Sequence, residues 1–306
     1  MTHIYVFGSI NRDLIASVDT LPRPGETQVS RDFLRRGGGK GANQAFAASR
    51  IADDDVVVHL VACVGRDEEG QSLTAELNAS GVDTTYVTAV DAPTGLAMIQ
   101  VAADGENTIV VVPGANHLWP AGSVRSVPLA ADDIVVCQLE TPLDVVAEIG
   151  AHARASGARL VVNAAPYDAR AAEIVRSADI VVVNEGEAAG FLGVEAFDAE
   201  LLAGSASIGG EVIVTLGGSG SLLRGFDGLL ATVDAFAVDV VDTVGAGDAF
   251  VGGLVAALAG GDSVREAVDV AMAAGALTVG VNGPRDPALS RATVDALRRA
   301  DRDANR

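Results

Sequence analysis

The sequence predicts an α/β fold with a mainly parallel, doubly wound central sheet, and three observations carry that reading. Short apolar runs alternate with helix-like stretches along most of the 306 residues, the rhythm of repeated βαβ units. Runs such as DIVVCQLE (133–140) and DIVVVNE (179–185) lack polar alternation, as strands buried on both faces do. Hydrophobic residues make up 49% of the chain but aromatics only 4%, so the core is expected to be small and β-branched side chains packed closely.

In order along the chain, residues 3–8, 56–64, 133–139, 159–163, 179–184 and 211–216 read as strands of that sheet. Residues 68–80, 143–156, 169–177 and 185–192 read as helices between them. Two regions break the rhythm. Residues 13–18 and 26–34 look like exposed strands around the turn-rich LPRPGE, and 94–102 and 107–112 flank Asp104-Gly105, a favourable hairpin turn. Together, residues 13–36 and 94–112 are expected to form a small sheet over the main body, a lid. No repeat or linker divides residues 1–306, which read as one domain, and only the polar tail after Arg299 is expected to fray.

A formal charge of −20 opposes binding to nucleic acid or anionic lipid over broad surfaces, so an anionic ligand must be captured by a local device. The two cysteines, Cys63 and Cys137, lie in apolar runs and are expected to be free, buried thiols in a reducing cytoplasm. The longest apolar run, 249–261, is too short to span a bilayer.

The segment VDTVGAGDAF (241–250) leads into a small-residue helix through about Ala259. Gly245, Ala246 and Gly247 allow a sharp turn, and the helix start leaves N–H groups without intrahelical partners, an anion site suited to a transferring phosphoryl group. Asp248 at the same point can act as base toward an incoming hydroxyl. An ordinary helix cap is the alternative for an isolated GAGD.

RGGGKGANQ (36–44) is neither a P-loop, since Leu34 and Gly41 stand where that pattern needs Gly and Ser or Thr, nor a dinucleotide fingerprint. It offers a backbone able to close on a ligand, with Lys40 and Asn43 as donors. Lys40 is the only lysine beside twenty arginines, so its compact ammonium stands out.

Asn11 and Asp13 alternate after the first strand and share a face, able to hold neighbouring hydroxyls or to cap a turn. Glu140 and Asn184 end strands, where an α/β sheet gathers its ligands. Asn184 and Glu187 form N-x-x-E, which can arrange water around Mg²⁺ or make a capping box. TLGGSG (215–220) can bring amides to nucleotide phosphates or be a plain hairpin turn. The four histidines show no metal spacing.

Nine segments in order, GSINRD, PGET, GGKGANQA, TGLAMIQV with DGENTI, PGAN, QLETP, NEGE, TLGGSG and VDTVGAGDAF, closely resemble the ribokinase branch of the PfkB-type carbohydrate kinases. The resemblance implies a ribokinase-like three-layer α/β/α fold with a β lid that often forms a dimer clasp, and an ATP-dependent sugar kinase, with D-ribose the leading substrate. Another sugar, a deoxysugar or a nucleoside, or a non-catalytic binding regulator, are the alternatives. By motif position, Asn11, Asp13, Gly39, Lys40, Asn43 and Glu140 would hold the sugar, with Asp248 the base and Gly245, Ala246 and Gly247 the anion hole. Asn184, Thr215, Leu216, Gly217, Gly218, Ser219, Gly220, Gly247 and Met272 would meet ATP, with Asn184 and Glu187 serving Mg²⁺ through water. The family's monovalent cation, usually K⁺, would fall at Asp242, Val244, Thr278, Val281 and Gly283. NAAPY at Asn163, Met272 and VNGPRDPALS from Val281 depart from the usual wording, and Arg12 is bulky for its place, although alternation points it away from the sugar.

Overall fold

The computed structural model describes residues 2–205 and 208–304. In chain order, β1 (Thr2–Phe7), β2 (Asn11–Ser17) and β3 (Asp32–Gly38) precede α1 (Lys40–Ile51). Then come β4 (Val56–Gly65), α2 (Glu68–Ala79), β5 (Val87–Val90), β6 (Gly95–Val101), β7 (Asn107–Val112) and β8 (Ile134–Gln138). The chain continues with α3 (Leu143–Ser156), β9 (Arg159–Asn163), α4 (Ala172–Arg176), β10 (Ile180–Asn184), α5 (Glu185–Leu192) and α6 (Ala199–Gly204). It closes with β11 (Glu211–Thr215), β12 (Ser221–Arg224), β13 (Leu230–Val233), α7 (Ala246–Ala259), α8 (Val264–Val279) and α9 (Arg291–Ala304).

Among the described residues, nine strands form one sheet in the order β13-β12-β11-β10-β9-β8-β1-β4-β5. From β11 to β5 every pairing is parallel, and β12 and β13 add an antiparallel edge. The period-two alternation of each parallel strand feeds two cores. Ile4, Val6, Ile134 and Val136 join α1, α7 and α8 on one face, while Tyr5, Phe7, Val135 and Cys137 join α3, α4 and α5 on the other. The result is the expected α/β/α sandwich. Strand order departs from β1 in two directions, to β4 and to β8, and the crevice at such a reversal lies beyond the strand C-termini.

A separate four-stranded sheet, β3-β2-β6-β7, joins the body where β2 follows the end of β1 and β3 leads into α1. Residues 26–31 are not strand as expected. β2 ends at Ser17 opposite Asp32, and Arg31 N–H still reaches it, donating to the Ser17 carbonyl, while a turn closed by Glu26 N–H donating to the Arg23 carbonyl leads into that stretch. Residues 169–171 form a 3-10 turn ahead of the short α4 rather than one continuous helix. The expected fraying after Arg299 is corrected through Ala304, where α9 ends, with Arg298 and Arg302 paired to Asp269 of α8; residues 305 and 306 lie outside the described residues. Cys63 and Cys137 are free and buried, and burial pushes both thiols up to about 12. Among the described residues no helix is long and apolar enough to cross a membrane.

Candidate active site

Asp248 lies in the first turn of α7, after Gly245, whose positive φ of 81° suits the turn into the helix. A Cβ on Gly245 would also collide with Pro284, so glycine lets the 281–285 loop pack against the helix start. The Asp248 carboxylate is buried but not isolated. Asn43 Nδ2 donates to its Oδ2 at 3.0 Å and Gln44 Nε2 to its Oδ1 at 3.1 Å, both from α1. Ala246 N–H donates to the Thr243 carbonyl at 3.3 Å, so of the three amides assigned to an anion site this one is engaged in the turn. A Cβ on Gly247 would meet nothing within 4 Å, which leaves open space next to Asp248.

α1 starts at Lys40 because Gly39, with φ 88°, turns the chain in from β3. Glu140, two residues beyond β8, accepts from the Lys40 backbone N–H at 3.1 Å and from the Ser9 hydroxyl. The strand reversal thus joins the ends of β1 and β8 to the glycine loop. Burial opposes charge on the Lys40 ammonium, yet Asp248, Glu140 and Glu187 outweigh it and raise its pKa. Asp13 sits on the same side. Burial pushes its carboxyl up to about 6, with Arg285 pulling the other way, and Gly38 makes room for it, since a Cβ there would overlap that carboxylate. Asn11 is oriented by Asn116, whose Nδ2 donates to its Oδ1 at 2.7 Å. Arg12 turns away, as strand alternation requires, to Glu69, Ser72 and Glu76 of α2.

Most of the nucleotide candidates gather around a cavity of about 430 Å³ that Gly247 also lines. Thr215, Gly217, Gly218, Gly220, Ala246, Gly247 and Met272 line it, whereas Asn184, Leu216 and Ser219 do not. TLGGSG is indeed the turn of a hairpin, between antiparallel β11 and β12, and that turn faces the cavity. Phe236, Val238 and Phe250 supply apolar wall, enough for a planar base.

Asn184 and Glu187 make the reciprocal capping box of α5, with Glu187 N–H donating to Asn184 Oδ1 at 2.8 Å and Asn184 N–H to Glu187 Oε2 at 2.9 Å. Burial raises the Glu187 pKa, with the cap and Lys40 opposing. The cap fixes a carboxylate within electrostatic reach of Lys40, which suits contact to a hydrated divalent ion rather than direct ligation. Asp242 accepts from Val244 N–H and Gly283 N–H, each at 3.0 Å, and Val281 N–H donates to the Thr278 carbonyl at 3.3 Å. The Asp242 carboxylate thus clasps the loop of Val244 to that of Val281 and Gly283, with Thr278 in the last turn of α8, and a carboxylate among backbone carbonyls is a donor chemistry that fits a hard cation.

Several contributors escape sequence reading. Gln44 is held by Gln138 Nε2, which donates to its Oε1 at 2.6 Å, and its own Nε2 also donates to Asn163 Oδ1 at 3.0 Å. These lie inside QLETP and NAAPY, but nothing in the spacing marks them as supports of Asp248. Arg285 donates to Asn43 Oδ1 at 2.9 Å and to the Gly38 carbonyl at 3.2 Å. Burial pushes its guanidinium down to about 10, so it stays charged near neutral pH.

A family model described as pfkB family carbohydrate kinase matches residues 1–291. The chain belongs to that family. This pfkB-family chain is 36% identical over 294 residues to a ribokinase of Haemophilus influenzae, covering 94% of the chain and 95% of that protein. It is 32% identical to a ribokinase of Schizosaccharomyces pombe, covering 96% and 97%. Among solved structures, Arabidopsis thaliana ribokinase complexed with ribose and ATP superposes with a TM-score of 0.85 at 30% identity, covering 97% of this chain and 98% of that one. The ADP complex of Cryptococcus neoformans ribokinase also gives 0.85 at 30% identity, covering 96% and 98%.

Proposed function

We propose that the protein transfers the γ-phosphoryl group of ATP to the 5-hydroxyl of D-ribose, giving D-ribose 5-phosphate and ADP. The observation that carries this reading is the buried Asp248 at the start of α7, with the sugar-side residues Asp13, Asn43 and Glu140 on one hand and the 430 Å³ cavity on the other. Relatives described as ribokinases, one of them complexed with ribose and ATP, support the substrate pair.

In this reading Asn11, Asp13, Gly39, Lys40, Asn43 and Glu140 hold the sugar hydroxyls, and Asp248 takes the proton of the 5-hydroxyl. The freed oxygen forms a bond to the γ-phosphorus as the bond to the bridging oxygen of ADP breaks. Charge building on the equatorial oxygens meets the α7 dipole and the amides of Gly245 and Gly247, the Ala246 amide being engaged with the Thr243 carbonyl. Lys40 stays protonated beside three carboxylates and neutralises the same region. A divalent ion such as Mg²⁺ accompanies ATP and would be served through water by Glu187 and Asn184. Asp242 and the backbone of 244, 278, 281 and 283 would hold K⁺, which orders the turn. The small sheet acts as lid and, through its apolar outer strands, as the contact of a homodimer, and two free buried thiols accord with a reducing cytoplasm.

The test is a panel of pentoses, hexoses, 2-keto-3-deoxygluconate and nucleosides assayed with Mg²⁺–ATP, with and without K⁺. Ribose should give the highest kcat/KM. Equal or better turnover with fructose or a nucleoside overturns the ribose assignment.

A further inference from the structure

Arg285 lies in a loop that no motif marks, yet it is connected to the proposed base through a single side chain. Its Nε donates to Asn43 Oδ1 at 2.9 Å, and Asn43 Nδ2 donates to Asp248 Oδ2 at 3.0 Å. The two ends of an asparagine amide are almost equal in size but opposite in polarity, so packing alone sets their direction weakly. A guanidinium removes the ambiguity because it only donates. Only the amide oxygen can face it, and the amide nitrogen must then face the carboxylate.

We propose that Arg285 is a positioning residue for phosphoryl transfer, fixing the Asn43 amide so that it presents N–H rather than a carbonyl oxygen to Asp248. With the amide reversed, two acceptors would confront each other in a buried site, and the carboxylate would lose one of the contacts that aim it. Further observations fit this role better than a general structural one. The Arg285 hydrogen bonds go to neutral acceptors, Asn43 Oδ1 and the Gly38 carbonyl. Asp13 and Asp248 lie near enough to affect its charge, yet its direct bonds are spent on the amide and the glycine loop. A Cβ on Gly37 would come within 2.6 Å of its guanidinium, so the end of β3 that leads into α1, the helix of Lys40 and Asn43, leaves space for this side chain.

The inference rests on the reading of Asp248 as base, and the experiment separates the two. Single-turnover phosphoryl transfer and the ribose KM are measured for wild type, Arg285→Gln, Asn43→Ala and the double variant. Glutamine suits the first position because it can both donate and accept, and so imposes neither orientation. Arg285→Gln should slow transfer about 10- to 100-fold, the scale of a misaligned catalytic group, with a smaller change in KM. In the Asn43→Ala background the same substitution should change the rate by less than about twofold, the non-additivity of residues acting as one unit. Equal losses in both backgrounds, a change confined to KM, or no loss at all overturns the proposal. Should Arg285→Gln fail to fold by thermal melting, Arg285→Met enters the same cycle, since it too removes the donor-only group. Asp248→Asn is run in parallel. If it retains turnover, the base reading has failed; if it is inactive while the cycle is additive, only the role of Arg285 has failed.

Discussion

Asp248 and Asp13 share one crevice but are held differently. Two amides engage Asp248, one on each carboxylate oxygen. Asp248→Asn should therefore keep the shape of the site while removing the proton acceptor, lowering kcat by about 10²- to 10⁴-fold with ribose and ATP still bound; kcat and calorimetric binding check both halves. Asp13, raised to about 6 by burial, gives a pH signature. In the proposed sugar site its ionised form would accept from sugar hydroxyls, so the ribose KM should rise as pH falls below about 6, by at most about tenfold per unit. Asp13→Asn should flatten that limb. Stability has the opposite sign. The folded state keeps this proton at pH values where the unfolded chain has released it, so the contribution of Asp13 to stability is fully present below its ordinary value near 3.8 and is lost as pH rises through about 6. Thermal melts of wild type against Asp13→Asn across that window test the sign.

The proposed base and its two amide partners are carried by a pair of helices, α7 and α1, and their spacing depends on small residues. A Cβ on Gly252 of α7 would come within 2.5 Å of Ala47 Cβ and 2.8 Å of the Gln44 carbonyl. Gly252→Ala should therefore force α7 off α1 and cost about 1–3 kcal/mol. The same displacement should lower kcat, because Asp248 and Gln44 sit on opposite sides of the gap; melting and kinetics read the two effects. At this level the sequence is legible where one physical cause dominates. Strands 159–163 and 107–112 and helices 143–156 and 185–192 match their expected limits, because turn and capping residues flank them, Gly157 after the first helix and Asn184 and Gly193 around the second. The edge strands β12 and β13 are short, and β13 is half exposed, so no burial pattern announces them. α8 does carry a start signal, the capping box of Ser263 and Glu266. Within the site, Asp13, Asn43 and Glu140 are legible because a motif places each at a strand or helix end, whereas Arg285 acts from a loop whose partners are about 240 residues away in sequence.

Over the whole molecule, the small sheet is the least committed part. Met98, Ile109, Val110, Val111 and Val112 are all at least two-fifths exposed, an apolar concentration that an isolated chain rarely presents to water. If it mediates dimerisation, Ile109→Glu with Val111→Glu should convert the protein to monomers by sedimentation. If it also closes on sugar, amide hydrogen exchange across residues 94–112 should slow when ribose saturates the site; exchange unchanged by ribose would argue against closure. The amine inventory has a practical side. Lys40 is the chain's sole lysine, so acylating labels, aldehyde fixatives and amine-coupled sensor chips have no other side chain to attack. Whatever they attach through a side-chain amine goes into the crevice that Lys40 shares with Glu140, and surface tethering for binding work is better routed through the termini.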